Sequence, residues 1–410
     1  MTTVTSETRT PEPIPAEALK LGGGARKLML GLLVVGAGAL GAGALSTSFE
    51  HFIRSYLTGF AFALSLSLGA LFFVILQHLT RAGWSVTVRR LAETMAAATL
   101  PLALLFIPII LGASALYPWA GEGHGDLGLS PLKQAWLDPT FFVVRIAVCF
   151  GIWILLSRFF LRNSTRQDDS GDPALTAKMQ KFAPVAMILY AITVTFFSFD
   201  LLMSLDPHWF STMYGVYYFS GSLLSFFAFV ILMVFFLKRS GRLGDAVNVE
   251  HYHDLGKQLF AYIVFWAYIA FSQYMLIWYA NIPEETQWYL LRQSGGWEVF
   301  GMLLLFGHFL LPFLILLPRG IKRRPGMLAA MSFWVLLMHM IDLHWLIAPV
   351  ASEHGAHGGE PHAYFGLVEL LCVAGVTALF TAAVVYKLSG VSLIPVGDPR
   401  LPESLAFENH

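Results

Sequence analysis

The chain has 410 residues, of which 56% are hydrophobic and 13% charged, with 26 Lys and Arg balanced by 26 Asp and Glu. A soluble domain carries about 25% charged residues, so this composition cannot clothe a water-facing surface, and its neutral balance offers no basic field to nucleic acid. The two cysteines, Cys149 and Cys372, lie in apolar runs, which excludes a disulfide framework, a cysteine-ligated zinc site, an iron–sulfur cluster held by this chain and a CxxCH haem attachment.

A membrane-spanning helix needs about 20 mainly apolar residues. Ten such runs are readable, at 28–48, 57–79, 92–115, 141–161, 182–204, 210–237, 257–281, 297–318, 326–347 and 364–387. Barrel strands would give alternating segments of about ten residues; these runs are continuous. The predicted fold is therefore an all-α integral membrane domain over 28–387, between a polar tail at 1–27 and a C-terminal tail at 388–410. The N-terminal tail lacks the short apolar core and cleavage site of a signal peptide, so the first span is expected to be retained.

In the first span, Gly36-Ala-Gly38-Ala-Leu-Gly41 matches the G-x-G-x-x-G dinucleotide fingerprint. No strand precedes it and no βαβ unit surrounds it. The better reading is a small-residue face for close helix packing, Ala37/Gly41 and Gly38/Ala42. Asp138-Pro139 and Asp206-Pro207 read as an N-cap followed by proline at the first helical position, before spans four and six. Span six would then run about 30 residues, its first turns and Trp209 lying in the interface.

Ionisable residues inside a membrane cost about 2.5–3.5 kcal/mol each on insertion scales and need a compensating role. They are Arg145 in span four, Asp200 in five, His308 in eight, His339, Asp342 and His344 in nine, and Glu369 in ten. His78, Glu93 and Lys257 lie near span ends. His339 and Asp342 are three apart and share a helix face; an imidazole and a desolvated carboxylate so placed can exchange a proton near neutral pH. Bis-histidine haem ligation by His308 and His339 is a weaker rival, since lone histidines more often only hydrogen-bond. Glu353, His354, His357, Glu360 and His362 sit in a Gly-rich loop whose spacing fits no metal template. Phe199-Asp200-Leu201 and Ile341-Asp342-Leu343 end spans five and nine alike, a faint echo of a parallel repeat.

Orientation follows from the loops. Of the 26 Lys and Arg, 22 fall on the side of both termini; only Arg54, Lys133 and Arg292 fall on the other, with Arg145 inside a span. Both termini are thus expected in the cytoplasm. On that reading Asp200, His339, Asp342, Arg145 and Glu369 lie in the outer part of the bilayer, and His308 near its middle.

Longer motifs carry a resemblance. Phe199-Asp200-Leu-Leu-Met-Ser-Leu-Asp206-Pro-His208-Trp-Phe-Ser-Thr-Met-Tyr-Gly-Val-Tyr217, His253-Asp254-Leu-Gly-Lys257, Phe265-Trp-Ala-Tyr-Ile-Ala-Phe-Ser-Gln273 and Ile277-Trp-Tyr-Ala-Asn-Ile-Pro-Glu-Glu-Thr286 are similar to the ActF-type subunits of alternative complex III, of the NrfD/polysulfide-reductase-like kind. The similarity covers most of the membrane part and is strongest from about 190 to 345.

The resemblance implies two four-helix bundles, spans two to five and six to nine, flanked by spans one and ten. It also implies a bacterial inner-membrane complex that oxidises quinol. The partners would be an ActC-type paralogous membrane subunit, periplasmic iron–sulfur and multihaem cytochrome subunits, and small membrane-anchored subunits, with lipids around them. Haem and iron–sulfur clusters belong to those partners; quinone or quinol is the one small molecule this chain could hold.

The expected role is a proton half-channel. Asp200, Asp342 and His339 would be its core, Asp206, His208 and His344 its mouth, and His308 its deepest link, with Arg145 and Glu369 tuning charge. The alternatives are a quinone site in spans two to five at Arg145 and Asp200, a scaffold subunit, and a free-standing transporter.

Overall fold

The computed structural model describes residues 16–121, 127–353 and 363–408. They contain ten helices long and apolar enough to cross a membrane. These are α1 (Ala25–Ser46), α2 (Phe49–Leu79), α3 (Val86–Leu111), α4 (Pro139–Ser170), α5 (Pro173–Leu205), α6 (Tyr214–Arg239), α7 (Val249–Ala280), α8 (Trp297–Leu316), α9 (Pro325–Pro349) and α10 (Leu367–Ser389). No strand occurs among the described residues. Helices satisfy their backbone polar groups within one segment, which hydrocarbon demands. The fold is all-α, as composition requires.

Boundaries differ from expectation mainly on the side of the termini, the basic side. There α4, α5 and α7 run eight or nine residues beyond the apolar stretch, because polar helix formers such as Arg162, Arg166 and Lys178 continue the helix past it. Asp138 caps α4 as predicted, its Oδ1 accepting from the Phe141 N–H at 2.8 Å.

The start of the sixth helix is a correction. α6 begins at Tyr214 rather than after Pro207. Asp206 closes a turn instead, accepting from the N–H groups of His208 and Trp209 at 3.0 and 3.2 Å. Trp209 is buried and stacks on Trp288 with centroids 4.5 Å apart.

α2 and α6 are the most deeply buried spans and pack on each other. α2 also touches α3, α5, α9 and α10; α4 lies against α3 and α5. α6 contacts α7 and α9, which both border α8, while α1 packs on α10 at the periphery. Where α2 crosses α6 the backbones nearly touch: a Cβ on Gly69 would lie 2.1 Å from the Ser222 carbonyl oxygen.

The small-residue face of α1 is real but displaced. Gly36 and Gly43 are its buried positions, Gly36 meeting Gly375 and Leu379 of α10, whereas Ala37, Gly38, Gly41 and Ala42 are exposed. The face follows a spacing of seven along the helix.

The C-terminal segment is not a free tail. Leu393 N–H donates to the Leu19 carbonyl and Gly397 N–H to Asp168, and Asp398 pairs with Arg89. Ser404 Oγ donates to the Trp84 carbonyl. The chain end thereby straps α3, α4 and the N-terminal segment together on the basic side. Beneath the strap, Glu93 holds both Arg89 and Arg90, and Arg90 reaches Asp168 at 2.8 Å.

Candidate functional site

Three buried carboxylates on the side away from the termini organise the polar interior. Each is satisfied differently.

Asp200, at the end of α5, is 1% exposed. Arg145 of α4 grips it by two parallel bonds of 2.8 Å, Nε to Oδ2 and Nη2 to Oδ1. Trp136 Nε1 donates to Oδ1 at 3.1 Å, and the guanidinium lies over the rings of Trp136 and Phe141, 4.1 and 4.3 Å from their centroids. Arg145 Nη1 is buried and has no hydrogen-bond partner. The planar fork matches a carboxylate better than a lysine could.

Glu369 opens α10 and bonds back to the Gly366 N–H at 2.8 Å. It also takes His51 Nε2 at 2.6 Å and Ser55 Oγ at 3.0 Å, both from α2. The His51 side chain is 36% exposed while that of Glu369 is 2% exposed, so this pair joins surface to interior. The Tyr364 ring packs edge-on to His51, and Tyr364 also offers its carbonyl to His344 Nε2 at 2.7 Å. Burial, with Glu369 near, pushes the Tyr364 phenol up to about 12.

Asp342 of α9 is the deepest centre. Tyr217 of α6 donates to its Oδ1 at 2.6 Å and Trp266 of α7 to its Oδ2 at 3.1 Å. His339, one turn earlier on α9, places Nδ1 3.8 Å from Oδ2 and shares Nε2 with Ser65 of α2 at 3.1 Å. Ser65 in turn meets Ser225 of α6 at 3.2 Å.

His308 of α8 completes this cluster, its ring centroid 4.0 Å from that of Trp266 and 6.3 Å from that of His339. It is fully buried, and neither ring nitrogen has a hydrogen-bond partner. It stands in a π-helical turn, Leu304–Leu310, the wider winding that recurs at functional sites.

The structure therefore brings His308, His339 and Asp342 together, and joins Arg145 to Asp200. It does not gather all the proposed residues into one group. Glu369 is held by His51 rather than by Arg145. Asp206 serves its own turn and His208 is exposed. His344, expected at a mouth, is buried among Trp297, Phe300, Tyr364 and Phe365. The loop residues His354, His357, Glu360 and His362 lie outside the described residues, as does the side chain of Glu353. Among the described residues no three His, Cys, Asp or Glu side chains converge as a metal site.

Several residues of these centres went unnoticed as site residues in the sequence: Trp136, Tyr217, Trp266, Ser65 and His51. Tyr217 and Trp266 fall inside the long motifs at 199–217 and 265–273 and could have been raised from there. His51 and Ser65 carry no local signal. Arg292 is a further surprise: buried without a carboxylate, it stacks on Trp288 and donates to the carbonyls of Trp288, Trp345 and Leu346. It ties the end of α9 to the preceding loop. The two Asp-containing tripeptides do share a partner type, since each carboxylate accepts an indole N–H at 3.1 Å.

No family model matches the chain, and no curated protein matches its sequence.

Proposed function

We propose that the chain is an integral membrane subunit of a quinol-oxidising electron-transfer complex of the alternative complex III type, and that Asp342, His339 and His308 carry protons within it. The long motifs between residues 199 and 286 support the first half of this reading. The second half rests on one observation: inside the bundle a carboxylate lies 3.8 Å from an imidazole that is itself 6.3 Å, ring to ring, from a second, unpartnered imidazole. Three groups able to take a proton, one carboxylate and two imidazoles, thus stand in sequence across the bundle interior. Neutral donors, Tyr217 and Trp266, hold the carboxylate without supplying a fixed charge.

Exchange with the outside would run through His51, Glu369, Tyr364 and His344, the last standing two residues from Asp342. Asp200 belongs to a different part of this scheme than the sequence suggested. Its carboxylate is held in a two-bond fork by Arg145 and stands apart from the His308, His339 and Asp342 cluster.

The test is the Asp342→Asn variant of the intact complex, reconstituted in liposomes with a soluble electron acceptor. Asparagine can accept the Trp266 indole N–H on its amide oxygen and donate its NH2 to the Tyr217 hydroxyl, but it cannot carry a proton. Quinol oxidation continuing at near wild-type rate with proton movement lost is the expected result. Wild-type proton movement at normal turnover would sink the assignment.

A second reading is favoured by the orphaned Arg145 Nη1. A quinone head group in α2–α5 could accept from that atom, flanked by Trp136 and Phe141. Photolabelling of the complex with an azido-quinone would place label on α4 and α5 if this is correct, and on another subunit if it is not.

A further inference from the structure

On the basic side α4 and α5 form a cleft of about 630 Å³ at their lipid-facing edge. Its mouth is lined by Arg158, Arg162 and Arg166 of α4 and Lys178 of α5. The three arginines recur every four residues and form one exposed stripe. Arg158 lies 19 residues beyond Pro139, where α4 begins; at 1.5 Å per residue that is about 28 Å, close to the thickness of the hydrocarbon core. The cations therefore begin at headgroup level. Deeper in, the cleft is apolar, with Ile152, Leu155, Phe159 and Phe182 in its walls. Phe159 and Phe182 pack at 4.6 Å, and Lys178 lies over Phe159.

None of the four cations is ion-paired among the described residues. Of the nearby acids, Asp168 pairs with Arg90 and Asp172 caps α5, while Asp169, three residues beyond Arg166, is exposed. A fourfold positive mouth over an apolar floor at the membrane boundary matches one chemistry. We propose that this cleft binds a phospholipid with an anionic headgroup, its phosphate among Arg158, Arg162 and Lys178 and an acyl chain along Leu155 and Phe182. Basic pockets between membrane helices on the cytoplasmic side hold such headgroups. The volume lies within the ordinary range for a small-molecule site. The apolar depth is what a free phosphate would leave unused.

The full chain, purified in detergent, would be titrated with phosphatidylglycerol, cardiolipin and phosphatidylcholine and read by native mass spectrometry. Phosphatidylglycerol and cardiolipin should bind in preference to phosphatidylcholine. The triple variant Arg158→Gln/Arg162→Gln/Lys178→Gln should weaken anionic binding on the order of a hundredfold, from roughly fivefold per cation. A control triple at exposed positions, Arg26→Gln/Lys27→Gln/Arg324→Gln, loses the same charge and should keep the preference. Leu155→Trp, which fills the floor and keeps every cation, should also weaken the lipid while leaving inorganic phosphate unable to compete.

Equal binding of phosphatidylcholine by the wild type, or an equal loss in the two triples, overturns the proposal. So does competition by inorganic phosphate at millimolar concentration. A photoreactive group at position 162 that crosslinks a partner polypeptide rather than lipid in the intact complex would also overturn it.

Discussion

The Arg145–Asp200 pair separates a structural role from a ligand-binding one. Removing either partner strands the other. Arg145→Met leaves Asp200, 1% exposed, with only the Trp136 indole. Asp200→Leu leaves a guanidinium whose side chain is 11% exposed and still lies over two aromatic rings. Breaking a buried pair costs about 3–5 kcal/mol in soluble proteins, while interhelical hydrogen bonds in a membrane protein average only about 0.6 kcal/mol, because the unfolded chain finds other partners in lipid.

Two bonds of 2.8 Å in a fork and a full charge place this pair between those limits. Each single variant should lose about 2 kcal/mol, Arg145→Met the more, because Asp200 cannot reach water and Arg145 partly can. The double variant removes both charges and should lose only about 1 kcal/mol, a coupling of about 3 kcal/mol. Thermal unfolding of the detergent-purified chain measures all four corners of the cycle. A double variant no more stable than the worse single would refute the electrostatic account. If the double variant is stable and the complex keeps full quinol turnover, the pair is a helix clamp. If it is stable but turnover fails through a raised KM for quinol, the second reading above gains its support.

Two other substitutions test the packing that positions the site. Gly69→Ala puts a Cβ 2.1 Å from the Ser222 carbonyl. Backbone cannot yield there as a side chain could, so α2 and α6 must separate, and the folded yield should fall severely; near-normal yield would show that the crossing is loose. Arg90→Met strands Glu93, whose remaining cation would be Arg89, and frees Asp168 from its ion pair. It should lower stability by about 3 kcal/mol and speed proteolysis of the C-terminal strap, and an unchanged protease lifetime would refute the strap's dependence on this cluster.

How much of this was legible depends on whether the signal is local. Ten spans could be read because hydrocarbon thickness imposes a run length that one stretch of chain must satisfy alone. The His339–Asp342 face could be read because helix geometry fixes which residues three apart are neighbours. The Asp138 cap was local too. The matching motif at Asp206-Pro207 failed because the same carboxylate can cap a helix or close a turn within three residues, and Trp209 settled the choice by stacking on Trp288, 79 residues away in sequence. Interhelical partners carry no local signal at all. Glu369 was read only as tuning charge, and its partner, His51, lies at the far end of the chain. The burial of His344 likewise depends on Tyr364 and Phe365, beyond a loop.

The three carboxylates differ in what balances them, and that difference limits what each can do. Asp200 faces a guanidinium that stays protonated at any physiological pH, so its environment is fixed. Glu369 faces an imidazole, that of His51, whose side chain is partly open to the surface. Asp342 faces only neutral donors and a buried imidazole. No fixed counter-charge stands against it: His339 Nδ1 is 3.8 Å away, and the His308 ring lies beyond that imidazole. A structural clamp would be better built like Asp200, since a permanent cation holds a carboxylate more firmly than a titrating one. The cost of placing Asp342, His339 and His308 together, with imidazole nitrogens left without partners, is one that packing alone does not offset. On the reading proposed above, that cost belongs to a site whose occupancy by protons changes.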